Sequence, residues 1–141
     1  MLNGGQGNIL LPIFGVIDMK LSEAIEKVNA LKAHSFDDEI IKGFIEDCDK
    51  RLYREVIETH EQSNIQPYEE RYPLGNTVEL LADDAYTQLY VFYAISQIDA
   101  FNGEYDRYNN NMILYNTALS DYKQYYNRTH TPKGASTFIT S

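Results

Sequence analysis

Three histidines are the side chains of this sequence best suited to bind a metal ion. His34, His60 and His130 lie far apart along the chain, and none stands in a Glu-x-x-His or His-Glu-x-x-His spacing. Such spacings matter because residues three or four apart share one face of a helix and can hold the same ion. We therefore expect each histidine to lie at the surface or to cap the end of a helix, with no metal and no cofactor bound.

Cys48 is the only cysteine, which excludes an internal disulfide and indicates a reducing compartment. It falls on the apolar side of a predicted helix, beside Phe44 and Leu52, and nothing in the pattern places a basic group next to it. A buried, unreactive thiol is expected. The glycines of residues 4–7 are followed by no Lys-Ser or Lys-Thr pair, so they indicate a flexible arm rather than a phosphate-binding loop.

Neighbouring carboxylates are the remaining candidates for acid–base chemistry. Glu46, Asp47 and Asp49 follow one another so closely that a helix spreads them around its surface, where we expect them to solvate the protein. Spacing brings together no nucleophile, base and orienting group. The sequence therefore predicts a protein that is not an enzyme.

Helical spacing of apolar residues predicts an all-α, four-helix bundle-like domain. The predicted helices cover residues 22 to about 34, 35–57, 85–101 and 104–127. Ser22 and Ser35 are the expected N-caps of the first two helices, and Asp83 or Asp84 is the expected cap of the third. The third helix is apolar almost all round, which is typical of a central, buried helix.

The fourth predicted helix carries an apolar seam whose members alternate in steps of three and four residues. These members are Tyr105, Tyr108, Met112, Tyr115, Leu119, Tyr122 and Tyr126. Because the seam is rich in tyrosine, we expect it to pack on the third helix rather than to form a long coiled coil. Asn109, Asn110 and Asn111 on the same helix are either an exposed flank or a polar contact with a neighbouring subunit.

Segments without a sustained period divide the rest of the chain. The absence of a sustained period in residues 62–82 predicts a long loop between the second and third helices, with a short hairpin around Thr77–Leu81. The predicted organisation is an N-terminal arm at residues 1–18, a helical domain at 19–127 and a C-terminal arm at 128–141.

The formal net charge of −9 is concentrated in the middle of the chain. Residues 36–106 hold seventeen acidic and five basic residues, whereas residues 107–141 hold one acidic and four basic residues. An acidic body disfavours tight nucleic-acid binding, which depends on neutralising phosphates. The apolar stretch at residues 9–17 is too short to span a bilayer, and residues 1–17 lack the basic start of a signal peptide. We expect a soluble protein that is not secreted.

Four short motifs carry a resemblance to a known family. They are LYREV with THE in residues 52–61, ELLADDAY in residues 79–86, NGEYDRYNN in residues 102–110 and YNRTHTP in residues 126–132. In this order they resemble the head-to-tail adaptor family of long-tailed bacteriophages, over about residues 19–132. Met19 lies where members of that family usually begin, so residues 1–18 are an extension.

The resemblance implies a subunit of a twelve-copy ring beneath the portal, in the neck of the virion, after assembly in the host cytoplasm. The ring extends the channel through which genome DNA passes without specific binding, and it docks a stopper or tail-completion protein. The segment that grips the portal in this family corresponds here to Arg128, Thr129, His130, Pro132, Lys133, Phe138 and Ile139. Contacts between subunits are expected at Asn109, Asn110 and Asn111 and, in the extension, at Ile13 and Phe14.

Two other functions remain open at this point. A stopper-like neck protein is one alternative, although stoppers tend to be rich in β-structure, so the helix content discriminates between the two. A helical interaction module outside any virion is the other. An acidic body agrees with a ring around passing DNA, because it repels phosphate.

Overall fold

The computed structural model of the protein describes residues 20–61, 64–83 and 86–134. Within these ranges the fold is all-α, as expected, and no β-strand forms; the two β-bridges are isolated ones. The predicted N-terminal arm, with Ile13 and Phe14, lies outside the described residues, as do Phe138 and Ile139. The helices are α1 at Leu21–Leu31, α2 at Asp38–Glu55, α3 at Tyr68–Arg71, α4 at Gln88–Phe101 and α5 at Tyr105–Thr129, with a 3-10 turn at Ile57–Thr59.

The N-terminus of α1 is capped by the loop rather than by a serine. Lys20 is the N-cap residue, and the backbone N–H groups of Leu21 and Ser22 donate to the carbonyls of Val78 and Asn76, both at 3.1 Å. The prediction of Ser22 as N-cap is therefore wrong. A distant segment supplies acceptors for the free N–H groups of the first turn, which a local capping rule does not anticipate.

The N-terminus of α2 is capped by Asp37, whose side chain accepts from the Ile40 N–H at 3.2 Å. The predicted cap, Ser35, stands two residues too early. Asp38 and Glu39 occupy the first turn, where carboxylates interact favourably with the positive end of the helix dipole. The three acids together fix the start of the helix.

Helix α4 is the central element of the domain. It packs against α1, α2 and α5, and its buried residues lie on every side of the helix. The predicted central position is confirmed, but the start is not. The helix begins at Gln88, with Thr87 as N-cap residue, rather than at Ala85 after an aspartate cap. It ends as predicted at Asn102–Gly103, where Gly103 has φ 75°, a left-handed conformation that favours glycine.

The tyrosine seam of α5 packs on α4, as predicted. Tyr115, Tyr122 and Tyr126 are buried, and the Tyr115 ring lies 5.2 Å from that of Tyr93 on α4. The seam is shorter than expected, because Tyr105 at its start is 66% exposed. Helix α5 has its exposed face on the side turned away from α4.

The segment at residues 64–83 is mostly irregular, as predicted, but contains the one-turn helix α3 and no hairpin. Glu79 forms an isolated bridge with Lys20 instead of pairing within the loop. Residues 76–79 therefore close over the start of α1 and join the loop to the helical body. None of the helices in the described part of the chain is long and apolar enough to cross a membrane.

Candidate interaction surfaces and the groups that hold them

Asp49 is fully buried, although the sequence predicts a solvating charge at this position. Its Oδ2 accepts from the Tyr72 hydroxyl at 2.6 Å and lies 2.9 Å from Nη2 of Arg71, whose Nε also donates to it at 3.0 Å. Its Oδ1 accepts from the Tyr90 hydroxyl at 2.6 Å and from the Leu81 N–H at 3.0 Å. The carboxylate is thus fully satisfied, as a buried charge requires.

The Asp49 network joins α2 and α4 to the loop. Arg71 also donates from Nη2 to the Glu79 carbonyl at 2.9 Å, so one guanidinium joins α2 to the segment that covers α1. Burial, together with the neighbouring Asp49 carboxylate, raises the pKa of the Tyr72 and Tyr90 hydroxyls. Both hydroxyls remain protonated donors at neutral pH. The network stabilises the fold, because its polar groups satisfy one another's hydrogen bonds.

The carboxylates next to Asp49 also have partners. Glu46 accepts from the Leu74 N–H at 2.9 Å, a second link from α2 to the loop. Asp47 is half exposed and accepts from the Tyr93 hydroxyl. The expectation that all three acids only solvate the helix is therefore wrong, because Glu46 and Asp49 bond to the loop and Asp47 bonds to Tyr93 on α4.

Cys48 is buried, as predicted. Burial first, and then the neighbouring Asp49 carboxylate, raise its pKa well above the usual value, while a hydrogen bond with Tyr115 opposes that shift. A thiol in this position does not ionise near neutral pH, and a neutral thiol is a poor nucleophile.

Two of the three histidines come together around Tyr126. The His130 ring stacks on the Tyr126 ring at 3.8 Å, and the His60 ring meets the same tyrosine edge-on at 4.7 Å. His60 is buried rather than at the surface: its Nδ1 donates to the Val56 carbonyl and its Nε2 lies near Asn127 Oδ1, both at 2.7 Å. No group of three potential metal ligands exists among the described residues.

His34 lies half buried in the connection between α1 and α2, between the cap residues Lys32 and Asp37. Its Nε2 donates to Asn29 Oδ1 at 2.7 Å, and its Nδ1 accepts from the Phe36 N–H at 3.1 Å. The ring therefore stabilises the connection between α1 and α2.

The beginning of the predicted C-terminal arm belongs to the folded body. Arg128 and Thr129 are the last residues of α5, so the helix extends two residues beyond the predicted end. The Glu61 N–H then donates to the Thr131 carbonyl, and the Lys133 N–H donates to the Thr59 carbonyl, both at 2.8 Å. With the bridge between His60 and Pro132, these bonds hold residues 130–134 beside the 3-10 turn.

The three asparagines of α5 differ in their surroundings. Asn111 donates through Nδ2 to Asp99 Oδ2 at 2.9 Å, and Asp99 is buried and lies 2.8 Å from Lys32 Nζ. Asn111 is therefore engaged within the subunit. Asn109 and Asn110 are exposed, so a contact between subunits is a prediction that remains for these two.

An uncharged face covers the outer side of α5. Residues 109–120 include no charged residue, although 23% of the chain is charged. Ile113 is 63% exposed and Leu114 is 47% exposed. Surface helices normally carry charges on the solvent side, whereas interface cores are depleted of them. We call this surface the α5 face; its members are Asn109, Asn110, Ile113, Leu114, Asn116 and Thr117.

An aromatic patch lies where α2 and the residues just before it meet the end of α4. The rings of Phe36, Phe44 and Phe101 lie 5.8 to 6.2 Å apart in all three pairings. Phe101 is nevertheless 69% exposed, and Ile40, one turn before Phe44, is 44% exposed. The aromatic patch is defined as these four residues. The exposed acids at the start of α2 border it: Asp37, Asp38 and Glu39.

The described side chains of the two surfaces form no catalytic or metal-binding group, but each surface has apolar side chains that the fold leaves exposed. Sequence reasoning found the asparagines of the α5 face and missed the aromatic patch, since Phe36 and Phe44 belong to one predicted helix and Phe101 to another, and local spacing does not bring the two helices together. Comparisons of the chain with known protein families, with curated proteins and with solved structures find no match.

Proposed function

We propose that this protein is a head-to-tail adaptor of a long-tailed bacteriophage, a structural subunit of a ring beneath the portal. The ring extends the DNA channel and docks the next neck component, a stopper or tail-completion protein. The observation that carries the proposal is that a small helical domain leaves two apolar surfaces uncovered, the α5 face and the aromatic patch. A protein of this kind completes its packing by contact with other chains.

Among the functions open to an assembly protein, we select this one because four segments resemble adaptors. They are residues 52–61, 79–86, 102–110 and 126–132. The segments with those motifs also build the described domain, since they include the end of α2, part of the loop that precedes α4, and most of the N-terminal and C-terminal turns of α5. The acidic body supports passage of DNA, because negative surfaces repel phosphate and keep the duplex from binding.

The C-terminal segment supports a portal contact. Residues 130–134 lie against the body, beside the 3-10 turn. Phe138 and Ile139 are the apolar pair of that chain. An extended segment of this composition binds by adding a strand to a partner, with main-chain hydrogen bonds and a pocket for the aromatic ring.

Portal binding is the test of the proposed function. The portal protein encoded in the same genome is mixed with the full chain, with a chain ending at Gly134, and with the variant Phe138→Ser. We expect a ring on the portal for the full chain, seen by electron microscopy, and loss of binding for both altered chains. Circular dichroism checks that each altered chain stays folded.

Failure of the full chain to bind the portal contradicts the proposed function and leaves a helical interaction module outside the virion. Unchanged binding of the shortened chain moves the portal contact to another surface, of which the loop at residues 64–83 is the next candidate. The helical content of the described residues favours an adaptor over a stopper, because stoppers tend to be β-rich.

A further inference from the structure

Gly43 is a residue of α2 that the packing of the described residues does not explain. It lies in the second turn, on the exposed side of the helix, and a Cβ atom built on it would meet no described atom within 4 Å. Glycine is less favourable than alanine inside a helix, and it is common where another backbone approaches closely. The position therefore leaves space for a second segment of chain to lie across α2.

The space at Gly43 adjoins the aromatic patch. Ile40 precedes Gly43 by one turn on the same exposed side of α2, and Phe44 follows it directly. Ile40 is 44% exposed and Phe101 is 69% exposed, so the patch has apolar side chains that the described residues leave uncovered. A segment that crosses the helix at Gly43 would contact these side chains.

The start of α1 lies beside the same turns of α2. Ser22 on α1 and Glu39 and Lys42 on α2 line one cavity of about 180 Å³ between the two helices. Glu39 and Lys42 are the direct neighbours of Ile40 and Gly43 in the sequence. The chain therefore enters α1 next to the part of α2 that carries the gap and the patch.

An uncharged apolar run precedes α1 in the sequence. Residues 9–17 read ILLPIFGVI, and Phe14 stands six residues before Lys20. An extended chain covers about 3.3–3.6 Å per residue, so that distance along the chain spans up to about 20 Å. A helix with its side chains is about 10–12 Å wide. The run is therefore long enough to cross α2 and to reach the aromatic patch.

We infer that residues 9–17 lie across α2 at Gly43 and cover the aromatic patch of their own chain. Neither the run nor the four residues of the patch include a charge that burial would leave unpaired. Attachment to α1 through a short connection gives the run a local concentration of about millimolar order. This attachment favours the patch of the same chain over the patch of another copy.

The inference does not depend on the proposed function. It assigns Ile13 and Phe14 to a contact within the chain, instead of the contact between subunits that we expect from the sequence. The α5 face, on the side of α5 turned away from α4, stays exposed for contacts with other chains.

Disulfide formation in the full chain tests the inference. Phe14→Cys is combined with Ile40→Cys and, in the control, with Leu114→Cys on the α5 face; Ile40 and Leu114 are 44% and 47% exposed. During mild oxidation with copper phenanthroline, we expect the first pair to form a disulfide within one chain at least about tenfold faster than the control pair. Cys48 does not compete, because it is buried. Mass spectrometry and non-reducing electrophoresis identify the product.

Gly43→Gln, added to the first pair, tests the crossing point. Glutamine fills the gap but favours the helix, so the circular dichroism of the variant is expected to stay helical. The disulfide between positions 14 and 40 is expected to form at least about tenfold more slowly, because the run no longer lies against the helix. Lys50→Gln places the same side chain one heptad further along this side of α2 and is expected to leave the rate unchanged.

Three outcomes overturn the inference. The first pair forms a disulfide no faster than the control pair, or it forms one only between two chains, which supports a contact between subunits instead. The third is an unchanged rate of disulfide formation in the Gly43→Gln variant. Portal binding is a separate measurement, so its failure removes the proposed function and leaves this inference standing.

Discussion

Replacement of Asp49 by asparagine is expected to destabilise the protein more than any other single change of a carboxylate in the described residues. The side chain is 0% exposed and accepts hydrogen bonds on both oxygens. Asparagine has nearly the same shape but replaces one oxygen with an NH₂ group. In either orientation that group faces donors, and the Arg71 guanidinium, itself buried, loses its counter-charge.

Loss of one partner of a buried ion pair is expected to lower the free energy of unfolding by about 3–5 kcal/mol. Small domains have a free energy of unfolding of about 5–15 kcal/mol, so this is a large share of the total. For a chain of 141 residues, about 4 °C of melting temperature corresponds to 1 kcal/mol. The melting temperature is therefore expected to fall by about 12–20 °C.

Thermal unfolding followed by circular dichroism measures the effect, with Asp121→Asn as the control. Asp121 is exposed on α5, and its replacement is expected to change the free energy of unfolding by no more than about 0.5 kcal/mol. In the double variant Asp49→Asn with Arg71→Gln, the second change is expected to cost at least about 2 kcal/mol less than Arg71→Gln alone, because the two side chains interact directly. A single variant that melts within a few degrees of the unsubstituted chain would refute the reasoning.

Three further predictions follow from the buried groups. Tyr115→Ala is expected to cost about 3–5 kcal/mol and Leu119→Ala less, because Leu119 is only partly buried; thermal melts with equal stability for both would contradict the packing of α5. Cys48 is expected to react with a thiol reagent only after denaturant unfolds the chain, and rapid modification of the native protein would show that the site opens. Burial raises the pKa of the Tyr72 and Tyr122 hydroxyls, so the folded chain retains protons that the unfolded chain loses near pH 10. Stability is therefore complete below about pH 10 and decreases above it, with tyrosinate absorbance rising together with the loss of helical circular dichroism.

The sequence was sufficient to predict the helices whose apolar residues repeat over many turns. The apolar residues all around α4 and the alternating steps along α5 each lie within one continuous segment. The local periodicity of the sequence therefore indicates them. The start of α1 was misplaced because the acceptors for Leu21 and Ser22 come from Val78 and Asn76. No local pattern specifies such a contact between distant segments.

The burial of Asp49 has a signal in the sequence, which is its position on the helix rather than its charge. Asp49 stands four residues after Ile45 and three before Leu52, so it lies on the apolar stripe of α2, whereas Asp47 does not. A carboxylate on an apolar stripe predicts a buried partner. The identity of that partner, Arg71, depends on how the loop folds back and could not be derived from spacing.

The length of α5 has a consequence for any assembly that the protein enters. Its 25 residues extend about 37 Å from the turn at Gly103 to the point where residues 130–134 attach beside His60. The helix is therefore a spacer of fixed length between two levels of the molecule. An insertion of one residue in its exposed middle would turn everything beyond it by about 100°, whereas an insertion of seven would nearly restore the orientation and add about 10 Å. The number of residues in this one helix thus sets the separation between partners bound at its two ends.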